Sequence, residues 1–183
     1  MASPSKEENI LELILENSPL KEWHFEEMVR EAKVTKAVAN KWLRKYIKER
    51  LLNYVKKKGK FPYFTVGSDN PVYYSLKRIY ALEQLHKSGL IPKLLSLKTA
   101  KTIIIFGSIA RWDWYKNSDI DILVFGDISD FDKNIYELKL HRNIELHIFQ
   151  NKEELQEVKT GIIKNIINGY VLKGQIQDIA EVA

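Results

Sequence analysis

Residues 101–127 read KTIIIFGSIARWDWYKNSDIDILVFGD. The β-branched apolar run at 103–106 has the continuous character of a strand buried on both faces. Gly107 and Ser108 break it, and a short polar and aromatic segment follows. A second apolar run, 120–125, is entered through Asp119 and Asp121, one residue apart. Alternate residues of a strand face the same way, so this spacing predicts two carboxylates side by side off one face. Like charges that close raise one another's pKa. A divalent cation removes the conflict, and paired carboxylates with open positions suit magnesium. Gly107 has no Cβ, which lets a phosphate approach the backbone. Ser108 predicts a helix N-cap with an anion-binding terminus behind it. A phosphate cradle beside metal-binding carboxylates predicts transfer of a phosphate-containing group.

With both halves in place, Gly107-Ser108-x-Ala110-Arg111 and then Ser118-Asp119-Ile120-Asp121 leading into a strand, the pattern resembles the signature of the minimal nucleotidyltransferases of the DNA polymerase β-like superfamily. The resemblance covers residues 95–174. It implies a small α/β domain with a mixed sheet, in which two Mg2+ ions bridge the triphosphate of an NTP (ATP by default) and a nucleoside monophosphate passes to an acceptor. Asp119 and Asp121 would hold the ions, and Gly107 and Ser108 the phosphates. Arg111 would either contact the phosphates or form a structural salt bridge. The family takes a third carboxylate from a neighbouring strand, and Glu145 is the residue that fits, as metal ligand or as general base. It sits in a run where Ile144, Leu146 and Ile148 form one face and Asn143, Glu145 and His147 the other. Many relatives use Asp there, and Glu reaches further. His147 reads as a surface histidine ahead of the other reading, a polar neighbour of the site. Family members usually carry Gly after the motif's Arg, where this chain has Trp112, whose indole would narrow or reshape the nucleotide pocket.

Composition sets the bounds. The 183 residues suffice for one large or two small domains. No cysteine is present, which excludes disulfides, zinc–thiolate sites and thiol nucleophiles. No apolar stretch is long enough for a membrane span, and the first residues lack a signal-peptide pattern, so a cytoplasmic protein is expected. The net charge of +5 is unevenly spread: residues 1–35 hold four Lys/Arg against eight Asp/Glu, residues 36–60 ten against Glu49 alone, and residues 61–183 balance. A basic block that dense is an electrostatic footprint for a polyanion.

That block lies in a pattern of three helices and a hairpin. Ser5 and Glu8 form a capping-box pattern before the apolar repeat Ile10, Leu11, Ile14, Leu15, and Pro19 ends it. A second helix fits 25–32. Thr35 caps a third to about residue 50, with Val38, Ala39, Trp42, Tyr46 and Ile47 as its inward stripe. Runs at 51–55 and 61–66 read as strands around a loop with four lysines. The pattern resembles a winged helix-turn-helix domain. That resemblance implies double-stranded DNA as partner, with Lys36, Asn40, Lys41, Arg44 and Lys45 in a major groove and Lys57, Lys58 and Lys60 on backbone phosphates.

The predicted fold class is therefore α+β: a winged helix-turn-helix domain at 1–68, a helical linker or dimerisation helix at 69–94, and a nucleotidyltransferase-like domain at 95–183. The linker helix starts at Pro71 and ends at Gly89, with Val72, Leu76, Ile79, Leu82 and Leu85 along it. It either joins the domains rigidly or forms a homodimer interface. Helices are predicted at 152–158 and 162–168 and a last short strand at 170–172, while 175–183 is expected to fray. Two functions follow from the resemblances. One is a magnesium-dependent nucleotidyltransferase coupled to DNA binding. The other is a DNA-binding regulator whose nucleotidyltransferase-like domain is a non-catalytic nucleotide sensor, or an antitoxin-like partner of a helical toxin.

Overall fold

The computed structural model describes residues 6–67, 69–151, 153–154 and 160–179. Ser5 of the expected capping pair and most of the helix expected at 152–158 lie outside them. The chain divides into two compact units, Met1–Lys77 and Arg78–Ala183, the division falling within one helix, Pro71–Lys87.

The first unit contains α1 (Lys6–Glu16), α2 (Phe25–Glu31) and α3 (Lys36–Lys48), then the hairpin β1 (Leu52–Val55) and β2 (Tyr63–Val66). Thr35 has extended backbone, and its hydroxyl accepts the Val38 N–H at 3.3 Å, capping α3 as expected. The buried stripe of α3 is Ala39, Leu43 and Tyr46. Val38, Trp42 and Ile47, expected to point inward with them, are only half-buried. Leu43 completes the i, i+4, i+7 row, which turns Trp42 to the flank; there its ring receives Lys41 and Lys45 at 4.9 and 4.8 Å. The hairpin pairs in register from Leu52↔Val66 to Val55↔Tyr63. Trp23, fully buried, adds one antiparallel bridge to Phe64 through N–H···O bonds of 2.9 and 2.8 Å.

Helix α4 (Pro71–Lys87) corrects a second stripe. Val72 and Ile79 are exposed, while Tyr73, Lys77, Ala81 and Leu85 are buried. Lys77 explains part of this rotation. Its fully buried ammonium donates to the carbonyls of Leu15 at 2.8 Å and Asn17 at 2.7 Å. Those oxygens at the end of α1 lack intrahelical donors, and a cation there also meets the negative end of the helix dipole.

In the second unit the residues before the central strand form a helix, α5 (Leu90–Ser96), with Leu90, Ile91 and Leu94 buried. This helix lies beyond Gly89, where the linker helix was expected to end. Strands β3 (Ala100–Phe106), β4 (Ile120–Gly126), β5 (Ile144–Phe149) and β6 (Tyr170–Lys173) form one sheet in the order β5-β4-β3-β6. β3 is antiparallel to β4 and β6, and β4 is parallel to β5, so the sheet is mixed. A parallel pair needs a crossover, which is supplied by α7 (Asn134–Leu140), a helix not anticipated from sequence. Residues 103–105 and 122–124 are fully buried, in keeping with their unbroken apolar character. On one face Ile104, Phe106 and Leu123 pack with Ile166 of α8 (Thr160–Ile167).

The C-terminal stretch is anchored as far as the described residues go. A 3-10 turn at Ile176–Asp178 brings the Asp178 carboxylate to the Thr102 hydroxyl at 2.7 Å and the Lys101 ammonium at 2.8 Å. These donors, Lys101 foremost, hold the Asp178 carboxyl down at about 2. Among the described residues, no helix is long and apolar enough to cross a membrane.

Candidate active site

Asp121, Glu145 and His147 lie on the sheet face that carries Phe106, Leu123 and Phe149. The register sets Asp121 opposite Phe106 on one side and Glu145 on the other, and Leu123 opposite His147. The site is thus the polar end of an otherwise apolar face. One donor atom from each of Asp121, Glu145 and His147 falls within 4.8 Å of the others. His147 Nε2 is 3.4 Å from Glu145 Oε1, and its ring lies 5.2 Å from that of Phe106.

Gly107 is required here for two reasons. Its φ is +70°, and a Cβ at this position would run into the Asp121 carboxylate. The space that the missing side chain leaves is therefore filled by an acid of the site itself. Short helix α6 (Gly107–Arg111) follows, with Phe106 at its N-cap. Ser108 is inside the helix, so its expected role as N-cap is corrected. The sharp turn demanded by Gly107 starts the helix two residues earlier than capping by Ser108 would.

Asp119 precedes β4 and is exposed. It lines the same cavity as Asp121 but stands outside the three-residue cluster. The cavity, about 420 Å³, is lined by Phe106, Gly107, Ser108, Arg111, Ser118, Asp119, Asp121, Glu145, His147 and Asn165. Burial raises the Asp121 carboxyl above its ordinary range, and the charges of Glu145 and, less strongly, Asp119 add to it; His147 and Arg111 oppose the shift. Two carboxylates and an imidazole converging on one point, one acid already destabilised as an anion, form a donor set that fits a divalent cation.

The frame around the cavity is held by specific contacts. Arg78 donates to the carbonyls of Ala110 at 3.0 Å and Arg111 at 3.5 Å, satisfying the end of α6. The Arg111 guanidinium reaches Asp113 at 3.4 Å and the Asn165 amide oxygen at 3.5 Å. Trp112 ends α6 with a left-handed φ of 94° and is not among the residues lining the cavity. A position of that conformation is the natural place for glycine. Trp114 is fully buried, stacked on Tyr80 with Arg142 over its ring at 4.5 Å, and fixes the loop that carries Asp119. At the head of β5, Glu137 accepts the Ile144 N–H at 2.8 Å while Lys133 donates to the Ile144 carbonyl at 3.0 Å and to Glu137 at 3.0 Å. That clamp seals the sheet's outer edge one residue before Glu145.

His147 and Asn165 are the site residues that sequence reading missed. The signal for His147 was present: it shares the polar face of its strand with Glu145, two residues on. Asn165 comes from a helix remote in sequence, and no local pattern marks it. In the first unit, Lys36, Asn40, Lys41, Arg44 and Lys45 are exposed on α3, and Lys57, Lys58 and Lys60 are exposed at the hairpin tip. Lys36 is ion-paired with Glu26 at 2.6 Å.

Residues 90–177 match the family model described as Polymerase beta, Nucleotidyltransferase. The second unit thus carries a nucleotidyltransferase-type domain. One similar protein is the "Putative protein adenylyltransferase" of Methanocaldococcus jannaschii, 62% identical over 32 residues, which are 18% of this chain and 31% of that protein. The chain therefore spans about a third of the length of this relative. A solved structure, "Crystal structure of the toxin-antitoxin with AMP-PNP", aligns over 55% of this chain and 76% of its own at 22% identity, with a TM-score of 0.30.

Proposed function

We propose that this protein is a divalent-cation-dependent nucleotidyltransferase that moves a nucleoside monophosphate, AMP by default, from an NTP to a hydroxyl on another protein. The observation that carries the reading is the meeting of Asp121 and Glu145 from adjacent strands over the Gly107 turn, within a segment of nucleotidyltransferase type. A protein acceptor is taken from the relative named as a protein adenylyltransferase. Asp121 and Glu145 would hold the cation, with Asp119 a further carboxylate on the rim. A bound divalent ion would supply positive charge for the triphosphate oxygens. The 107–108 backbone and the Ser108 hydroxyl orient the phosphates, and Arg111 lends positive charge from the same rim. The acceptor oxygen attacks the α-phosphorus, the bond to the β-phosphate bridge oxygen breaks, and pyrophosphate leaves. In the alternative where Glu145 does not hold the cation, it takes the acceptor's proton as general base.

Trp112 is not among the residues lining the cavity, which supports an open pocket over one narrowed by the indole. The assay is incubation of the purified chain and candidate acceptor proteins with α-labelled NTPs, using Asp121→Asn as control. Protein-bound label that this substitution removes is the expected result. NTP binding without transfer would overturn the enzyme in favour of a nucleotide sensor or antitoxin-like partner protein.

The first unit, in this reading, is a winged helix that binds double-stranded DNA. Exposed Asn40, Lys41, Arg44 and Lys45 on α3 and three lysines at the hairpin tip support it. Lys36, engaged with Glu26, is the weakest member of the set.

A further inference from the structure

Resting on the cation-binding reading of the same site, we infer that His147 is a metal ligand and that it turns the preference of the site from Mg2+ toward a transition divalent ion of the Mn2+ type. The sequence motif alone describes an all-oxygen site, which suits Mg2+, an ion that demands oxygen donors in near-ideal octahedral geometry and dehydrates reluctantly. The structure has a different donor set. Asp119 lines the same cavity, and beside Asp121 and Glu145 one of the converging donors is an imidazole.

Three facts place that imidazole in line. Glu145 and His147 are two residues apart on β5, so they share a face, and Asp121 stands beside Glu145 on β4 in register. The His147 ring is set against Phe106 at 5.2 Å, and its side chain is only 22% exposed, which restricts its orientations. Its Nε2 lies 3.4 Å from Glu145 Oε1, close enough for both atoms to reach one ion. Imidazole nitrogen is a good donor for first-row transition ions, whereas carboxylate oxygens serve Mn2+ and Mg2+ alike. A nitrogen donor at the site therefore favours the transition ion over Mg2+.

The test uses Mn2+ itself as probe on the full, nucleotide-free chain in a nitrogen-free buffer. Free Mn2+ is followed by electron paramagnetic resonance during titration, with Mg2+ as competitor, and the bound ion is examined by pulsed methods for coupling to 14N. The variants are His147→Gln and Asp121→Asn, each checked for folding by circular dichroism. Expected are Asp121-dependent Mn2+ binding, 14N coupling that His147→Gln removes, and a Mn2+-over-Mg2+ ratio that falls about tenfold or more in that variant. Asp121-dependent binding with no 14N coupling and an unchanged ratio in His147→Gln overturns the inference. It would mean that His147 merely ion-pairs with Glu145, and the nucleotidyltransferase reading would stand. Absence of saturable binding to the wild-type chain, with Asp121→Asn indistinguishable from it, overturns both.

Discussion

Gly107→Ala is the substitution that most directly probes how the site is built. Two separable costs attach to it. The position has φ +70°, where an L-residue costs roughly 1–2 kcal/mol. The new Cβ would also meet Oδ2, Cγ and Cβ of Asp121, and overpacking of that kind costs about 1–3 kcal/mol. Together Gly107→Ala should destabilise the protein by about 2–5 kcal/mol. The second cost exists only while Asp121 keeps its carboxylate. In an Asp121→Ala background the same glycine substitution should therefore cost about 1–2 kcal/mol, the backbone share alone. Urea unfolding of the four proteins, with the m-values compared across the set, gives the coupling directly. A coupling below about 0.5 kcal/mol would refute the claim that glycine is needed to admit the acid. Its conformational freedom would then be the whole of its role.

The pH dependence of Asp121 has a definite sign. Burial and Glu145 raise its carboxyl in the fold, while the unfolded chain titrates near the ordinary 3.8. The folded state thus keeps a proton the unfolded state has released, and stability is lost as pH rises from 3.8 through the raised value. Asp121→Asn should accordingly be more stable than wild type at pH 7 without added cation, with the gain vanishing below 3.8; equal stabilities at pH 7 would contradict this. Asp178 behaves oppositely. Held at about 2 in the fold against 3.8 unfolded, it stabilises above 3.8, and that contribution is lost as pH falls through about 2. Asp178→Asn should lower stability at pH 7 and converge on wild type near pH 2, in denaturant melts run across that range. For the first unit, replacing Lys41, Arg44 and Lys58 by Ala should weaken duplex DNA binding and flatten the log–log salt slope by about 0.9 per lost phosphate contact, read by fluorescence anisotropy. An unchanged slope would rule those three out as phosphate contacts.

How far sequence could anticipate this molecule depended on whether a constraint was local. The strands at 103–106 and 120–125 were legible because a central strand buried on both faces reads as a near-continuous apolar run. Thr35 was legible because a cap involves only its next three residues. The inward faces of α3 and α4 were misjudged, and for the same reason. Apolar character ranks Trp42, Val72 and Ile79 as core residues, but tertiary demands decided otherwise. Leu43 completed a tighter row on α3, and on α4 a lysine went inward because two free carbonyls at the end of α1 lay in reach. Helices α5 and α7 are each seven residues long, about two turns, so their apolar spacing barely repeats.

The candidate site divides along the same line. Gly107 and the acids were found because a turn and an alternating strand leave marks within a few residues, but the partnerships among them are set by strand register, which pairs residues 24 positions apart. Register is what sets Asp121 beside Glu145 and brings His147 into the cluster with them. It also changes the meaning of Gly107. In sequence a glycine beside a serine speaks of phosphate. In the fold its absent Cβ first makes room for the acid, so any nucleotide must bind against a carboxylate already seated on that turn. An anion brought there would meet repulsion unless a cation came with it. The packing of a single glycine therefore makes the order of events a physical matter: ion before, or together with, triphosphate. Nucleotide affinity should then depend strongly on the divalent ion in the wild-type chain and much less in Asp121→Asn, as titration calorimetry with and without Mn2+ would read. A wild-type affinity indifferent to the ion would show that the acid and the nucleotide do not share the turn.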